Sequence, residues 1–275
     1  MRILSTVALT VALSTPALCA DLVMTSQKHT DAMKMGPQET PAKDSTEVLW
    51  VGKDHMRTEA GDKVTIVRMD LKKMYMLDMK AKTVSTLDLP VDLAKYVPPE
   101  AAPMLKMMSE MKITVTPTTE TKKIKDWNTT KYTMTMHMDM DMRMGVDITQ
   151  DMWVTKDIPL DRANWQEMNR TMMSASLGTS AMVEEMKKVD GVPVLTERTQ
   201  SVMGTAFKSR VEVISVEQKD PAAGFYDVPK DFTEKPFNPM EDQMGPGAGA
   251  GPGRKKMGKP VDAPTEKPVE KPKPK

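Results

Sequence analysis

From Tyr132 to Val154 the even-numbered positions carry Tyr, Met, Val, Ile and a single Gln, and six successive ones (Met134, Met136, Met138, Met140, Met142 and Met144) are Met. The odd positions from Thr133 to Arg143 are Thr, Thr, His, Asp, Asp and Arg. A period of two puts successive side chains on opposite faces of a β-strand, so this stretch is β-structure with one apolar face. As one strand it would run about 75 Å at ~3.3 Å per residue, too long for a domain of this size. The chain must therefore turn back on itself. An odd-numbered loop keeps the apolar parity, and Gly145 suits the left-handed position of a three-residue loop. The expectation is a hairpin with loop residues 143–145, Met140 beside Ile148 and Met136 beside Met152.

Two chemistries fit such a row. Thioethers on one face can share a soft cation such as Cu(I) or Ag(I), and an imidazole assists. The corresponding set is Met136, His137, Met138, Met140 and Met142, although strand alternation turns His137 to the opposite face. The other reading is an apolar wall built from an adaptable side chain. The sequence holds 29 Met, more than Leu and Ile together. Met is thus the general apolar residue of this chain, which favours the wall.

The strands before the Met row are short. "STEVLWVG", "DHMRTEA", "KVTIVRMD", "KMYMLDM" and "TVSTLDL" are each bounded by Gly, Asp or Lys turns, and predict an antiparallel meander. Pro90 ends it. Met104, Met107, Met108 and Met111 then recur at helical spacing, and predict a short helix near 100–111. A second helical region spans about 160–188, with Asp161 as N-cap and Trp165, Met168, Met172 and Met173 near one face. "GVPVLTERTQSVMG" and "TAFKSRVEVISVEQ" predict two long strands that turn at Gly204.

Residues 1–20 have the form of a secretory signal peptide: Arg2, an apolar run, then small residues with cleavage after Cys19 or Ala20. They carry the single Cys, so the expected mature chain has no thiol and is periplasmic or secreted. No segment is apolar for long enough to span a membrane. A net charge of +1 offers no field for nucleic acid. Residues 238–275 are rich in Gly, Pro and Lys without apolar periodicity, and are expected to be a disordered tail available to envelope components.

No nucleophile elbow, phosphate loop, dinucleotide fingerprint or zinc spacing occurs. Asp139, Asp141, Asp147 and Asp151 fall on the polar side of the hairpin, where a solvated face is commoner than a calcium site. The expectation is a protein without catalysis.

"GKDHMR", "YMLDMKAKTV" and the closing "YDVPKDF" resemble a bacterial envelope family catalogued as domain of unknown function 4412, over about residues 21–237. Its members are similar to the lipoprotein-carrier (Lol-type) fold. The resemblance implies an α+β domain in which a curved antiparallel half-barrel has helices covering its concave face. It implies an apolar cavity and assigns no functional residues. The expected role is binding a lipid, acyl chain or lipoprotein segment, lined by Met134, Met136, Met138, Met152, Met104, Met107, Met108, Met111 and Trp165, without a cofactor. The alternatives are a copper-binding protein and a structural envelope protein.

Overall fold

The computed structural model describes residues 20–35, 38–92, 95–96, 110–140, 144–175, 180–202 and 205–238. The expected signal peptide, Met104, Met107, Met108, Met142 and nearly all of the expected tail lie outside these residues. The long strands are β1 (Asp21–Thr30), β9 (Lys112–Ile124), β10 (Trp127–Met140), β11 (Met144–Thr155), β12 (Val192–Val202) and β13 (Thr205–Lys219). The meander is β4 (Lys43–Val51), β5 (His55–Ala60), β6 (Lys63–Arg68), β7 (Lys73–Asp78) and β8 (Thr83–Asp88). A two-residue strand, β14 (Thr233–Glu234), and a small hairpin of β2 (Met33–Met35) and β3 (Gln38–Thr40) complete the strands among the described residues.

Twelve of these strands form one open sheet in the order β14-β8-β7-β6-β5-β4-β1-β13-β12-β11-β10-β9. Every pairing is antiparallel except β14 on β8. β1 joins the two halves, with β4 on one side and β13 on the other. The fold is mostly sheet, and the sheet does not close into a barrel. The meander turns are those expected from sequence. Gly61 takes a positive φ of 60° in the "AGDK" turn, between the paired Ala60 and Lys63.

Two helices lie between β11 and β12: α1 (Arg162–Ala175) and α2 (Ser180–Met186). Asp161 caps α1, its Oδ1 accepting from the backbone N–H of Ala163 at 3.0 Å and of Asn164 at 3.2 Å. Trp165 and Met168 are buried from α1 against Leu22, Met24, Val51, Met56 and Met74 of β1, β4, β5 and β7. Asn164 ties the first turn to the sheet by donating to the Gly52 carbonyl at 3.0 Å.

The Met hairpin keeps its expected parity but not its expected register. Met136 pairs with Ile148, Tyr132 with Met152, and the last pair is Met140 with Met144. The expected loop at 143–145 and the neighbours Met140–Ile148 and Met136–Met152 are corrected accordingly. Parity demands an odd loop without fixing its centre. The polar face does that. In the observed register His137 meets Asp147 and Thr133 meets Asp151, with hydrogen bonds of 2.6 and 2.7 Å. The expected register would have set Asp141 opposite Asp147, a like-charge pair across the strands.

Candidate functional site

A cavity of about 310 Å³ lies between the Met face of the sheet and the two helices. Met134 and Met152, from β10 and β11, form its floor and are each 1% exposed. Met24 of β1 and Leu49 of β4 line its far side. Trp165, Asn169 and Met173 reach it from α1, Met182 and Met186 from α2. A second cavity of about 400 Å³ lies against the helices and the chain entering β12, and shares Trp165, Asn169, Met173, Met186 and Pro193 as lining. The two thus have a common wall of thioethers and one indole.

The site follows from three local rules. Strand alternation sends the even residues of β10 and β11 to one face. In α1 the i, i+4, i+8 series Trp165, Asn169, Met173 forms one side of the helix, while Met168 points into the core. α2 is a short helix with no buried residue of its own. It is held at the edge of the sheet by Glu185, whose Oε2 accepts from the backbone N–H of Val115 at 2.7 Å. Lys188 beside it and this N–H together hold the Glu185 carboxyl below its usual range.

Of the expected lining residues, Met134, Met152 and Trp165 come together at the cavity. Met136 and Met138 do not line it. They pack with Val115, Val146, Ile148 and Met111 further along the hairpin. The Met residues of the lining that sequence reasoning missed are Met24, Met173, Met182 and Met186, and Ser26, Glu47, Gln150, Asn169 and Thr196 are the polar contribution. Met173 had been placed near the helical stripe, and the others gave no signal short of knowing which strands and helices meet.

Glu47 and Arg198 are charged side chains of this face. Glu47 lines the cavity, and burial raises its carboxyl above the usual range, with Lys28 acting in the opposite sense. Arg198 of β12 lies opposite the cavity-lining Gln150, and burial lowers its guanidinium. Its Nε is buried without a hydrogen-bond partner.

Of the alternative metal set, Met142 lies outside the described residues. Met136 and Met138 belong to the packed Met face, while His137 is on the opposite face with Nδ1 2.6 Å from Asp147 Oδ1. The Asp residues of the hairpin engage neighbours: Asp147 meets His137, and Asp151 meets Thr133 and Lys131. No group of three or more His, Cys, Asp or Glu suited to a metal ion occurs among the described residues.

A separate polar cluster holds the other face of the meander. Tyr226 Oη donates to Asp21 Oδ2 at 2.5 Å, and His55 places Nε2 3.2 Å from the same oxygen and Nδ1 2.9 Å from Asp54. Burial, followed by the bond to Asp21, pushes the Tyr226 hydroxyl well above the usual phenol range. Gly52 is required beside it, since a Cβ there would fall 2.1 Å from His55 Nε2. With its polar atoms engaged on one another, the cluster fastens the segment around Phe225 and Tyr226 onto Trp50, Val64 and Ile66.

No helix among the described residues is long and apolar enough to cross a membrane. A comparison with curated proteins finds no match. A family profile covers residues 30–232, spanning the meander, the Met hairpin, both helices and the closing segment, and the chain therefore belongs to the family described as domain of unknown function DUF4412.

Proposed function

We propose that this chain is a non-enzymatic envelope protein, exported to the periplasm or secreted, that binds an apolar ligand in its Met-lined cavity. The ligand class is an acyl chain, a lipid or the lipidated segment of a lipoprotein. The observation that carries this reading is the convergence of Met134, Met152, Met173, Met182 and Met186 with Trp165 on one cavity whose polar lining residues are in the minority. Ligand pockets are commonly apolar walls with a small number of placed polar groups. Unbranched thioether side chains re-pack around ligands of varied shape at little cost. The finer architecture follows from the same reading: the open sheet curves as a half-barrel of the lipoprotein-carrier kind, with the helices on its concave side.

The test is mass spectrometry of an organic extract of the purified full chain. Lipid or acyl species present in stoichiometric amount are expected. Recovery of none, from protein purified without detergent, would overturn the proposal. A Cu(I) role draws on the Met row of β10, and its support is thinner because His137 faces away from the thioethers. It is tested by titration against a competing Cu(I) chelator, where the Met136, Met138 and Met140→Leu triple variant must lose binding if that row is the site.

A further inference from the structure

We propose that Arg198 anchors the anionic head of a single-chain amphiphile whose apolar part enters the Met-lined cavity; the inference rests on the reading of that cavity as a ligand site. Strand pairing places Arg198 between Gln150 of β11 and Ser209 of β13, on the face that carries Met134 and Met152. Gln150 and Thr196, which lies two residues before Arg198 on the same face of β12, both line the cavity. Arg198 therefore lies beside the cavity, next to one lining residue across the sheet and another along its own strand.

Its guanidinium is also differently provided for than the others. Arg57 and Arg68 meet Glu59 and Asp70 at 2.6 and 2.7 Å. Arg162, Arg170 and Arg210 likewise have carboxylate partners. Among the described residues Arg198 is the one Arg with no ion pair. Its Nη2 reaches Gln200 Oε1 at 3.5 Å, and its Nε is buried and unpartnered. Glu47 does not compensate it, being three strands away, roughly 14 Å at the usual strand spacing.

A half-buried cation with a vacant donor is unfavourable unless an anion completes it. Guanidinium presents a planar fork that matches a carboxylate or phosphate, and the charge-assisted bonds so formed are strong. The arrangement of an acceptor site for an anion beside an apolar chamber fits a fatty carboxylate or an alkyl phosphate. It disfavours an alkyl cation.

The experiment is calorimetric titration of the full chain with four twelve-carbon probes below micelle formation: dodecanoate, dodecyl phosphate, 1-dodecanol and dodecyltrimethylammonium. At least one anion is expected to bind about tenfold or more tighter than the alcohol, and the cation weaker than the alcohol. The anion that gains more identifies carboxylate or phosphate as the natural head. Arg198→Met is expected to erase the preference while keeping alcohol affinity, with an unchanged circular dichroism spectrum confirming the fold, and Arg198→Lys to retain part of it. If the alcohol binds as tightly as both anions, or if Arg198→Met leaves the preference intact, the anchor is wrong and the apolar cavity stands. If none of the four probes binds, both the anchor and the cavity reading fall.

Discussion

The two halves of the sheet use the same alternation to opposite ends. In the meander half, the six-residue strands β6 to β8 bury residues on both faces. Val67, Met74 and Leu87 pack on the α1 side, while Val64, Ile66, Leu77 and Val84 pack on the other, against Tyr226. In the hairpin half, strands of 12 to 14 residues bury mainly one face, where Met134, Met136 and Met152 are buried among Val and Ile. Its cover is the seven-residue α2, which buries none of its own residues. A sheet packed on two sides has little freedom to adjust. A sheet packed on one side by thioethers, under a short helix, leaves a cavity and can re-pack. The difference separates a doubly packed half from a half with a cavity on one face within one continuous sheet.

Truncations should expose that difference. Ile66→Ala, in the doubly covered half, is expected to cost about 4 kcal/mol, and Met134→Ala about 2 kcal/mol, because flexible neighbours around the cavity collapse more readily. Urea denaturation of both variants checks this; equal losses would remove the distinction. Next in size, Tyr226→Phe should cost about 1–3 kcal/mol by leaving the buried Asp21 carboxylate short of a donor. Adding Asp21→Asn to that variant should cost less than the sum of the two single changes, since the residues share one bond.

Met134→Leu with Met152→Leu keeps side-chain volume and should change stability by less than about 1.5 kcal/mol. Its effect belongs to ligand choice: the stiffer wall should discriminate more sharply among alkanoates of different length in a binding series. Glu47→Gln should raise the melting temperature by about 1–3 °C at pH 7. The sign follows from the raised carboxyl of the native state. The folded protein holds that proton more tightly than the unfolded chain, so the native state loses stability as pH rises from the ordinary carboxylate range through the raised value. Below about pH 3.5 both states are protonated and the variant should melt with the parent. Smallest of all, His137→Ala should cost less than about 0.5 kcal/mol, because its pair with Asp147 is solvent-exposed.

Much of the fold could be read from residues near one another in the chain. The meander, the Asp161 cap, the Trp165–Met168–Met172 stripe and the parity of the Met hairpin all depend on local periodicity. The hairpin centre was missed because it depends on which polar residues meet across the strands, His137 with Asp147 and Thr133 with Asp151. Trp153 shows the same limit. It lies on the otherwise polar side of β11, yet is 8% exposed, with Lys122 Nζ 3.7 Å above its ring. Besides its paired neighbours Lys131 and Leu195, the ring meets Lys122 of β9, a strand that does not pair with β11.

The sequence by itself determined that this chain builds antiparallel sheet, that Met supplies the apolar face of one long hairpin, and that no familiar catalytic motif accompanies it. Those facts lie in side-chain type and spacing, which act over a few residues. Only the tertiary structure decided which Met residues share a cavity. Met24, Met134, Met152, Met173, Met182 and Met186 come from β1, β10, β11 and both helices. Their meeting is fixed by strand order and helix placement. Only the tertiary structure, too, left Arg198 beside that cavity without an ion-pair partner among the described residues, since pairing depends on everything that surrounds a group.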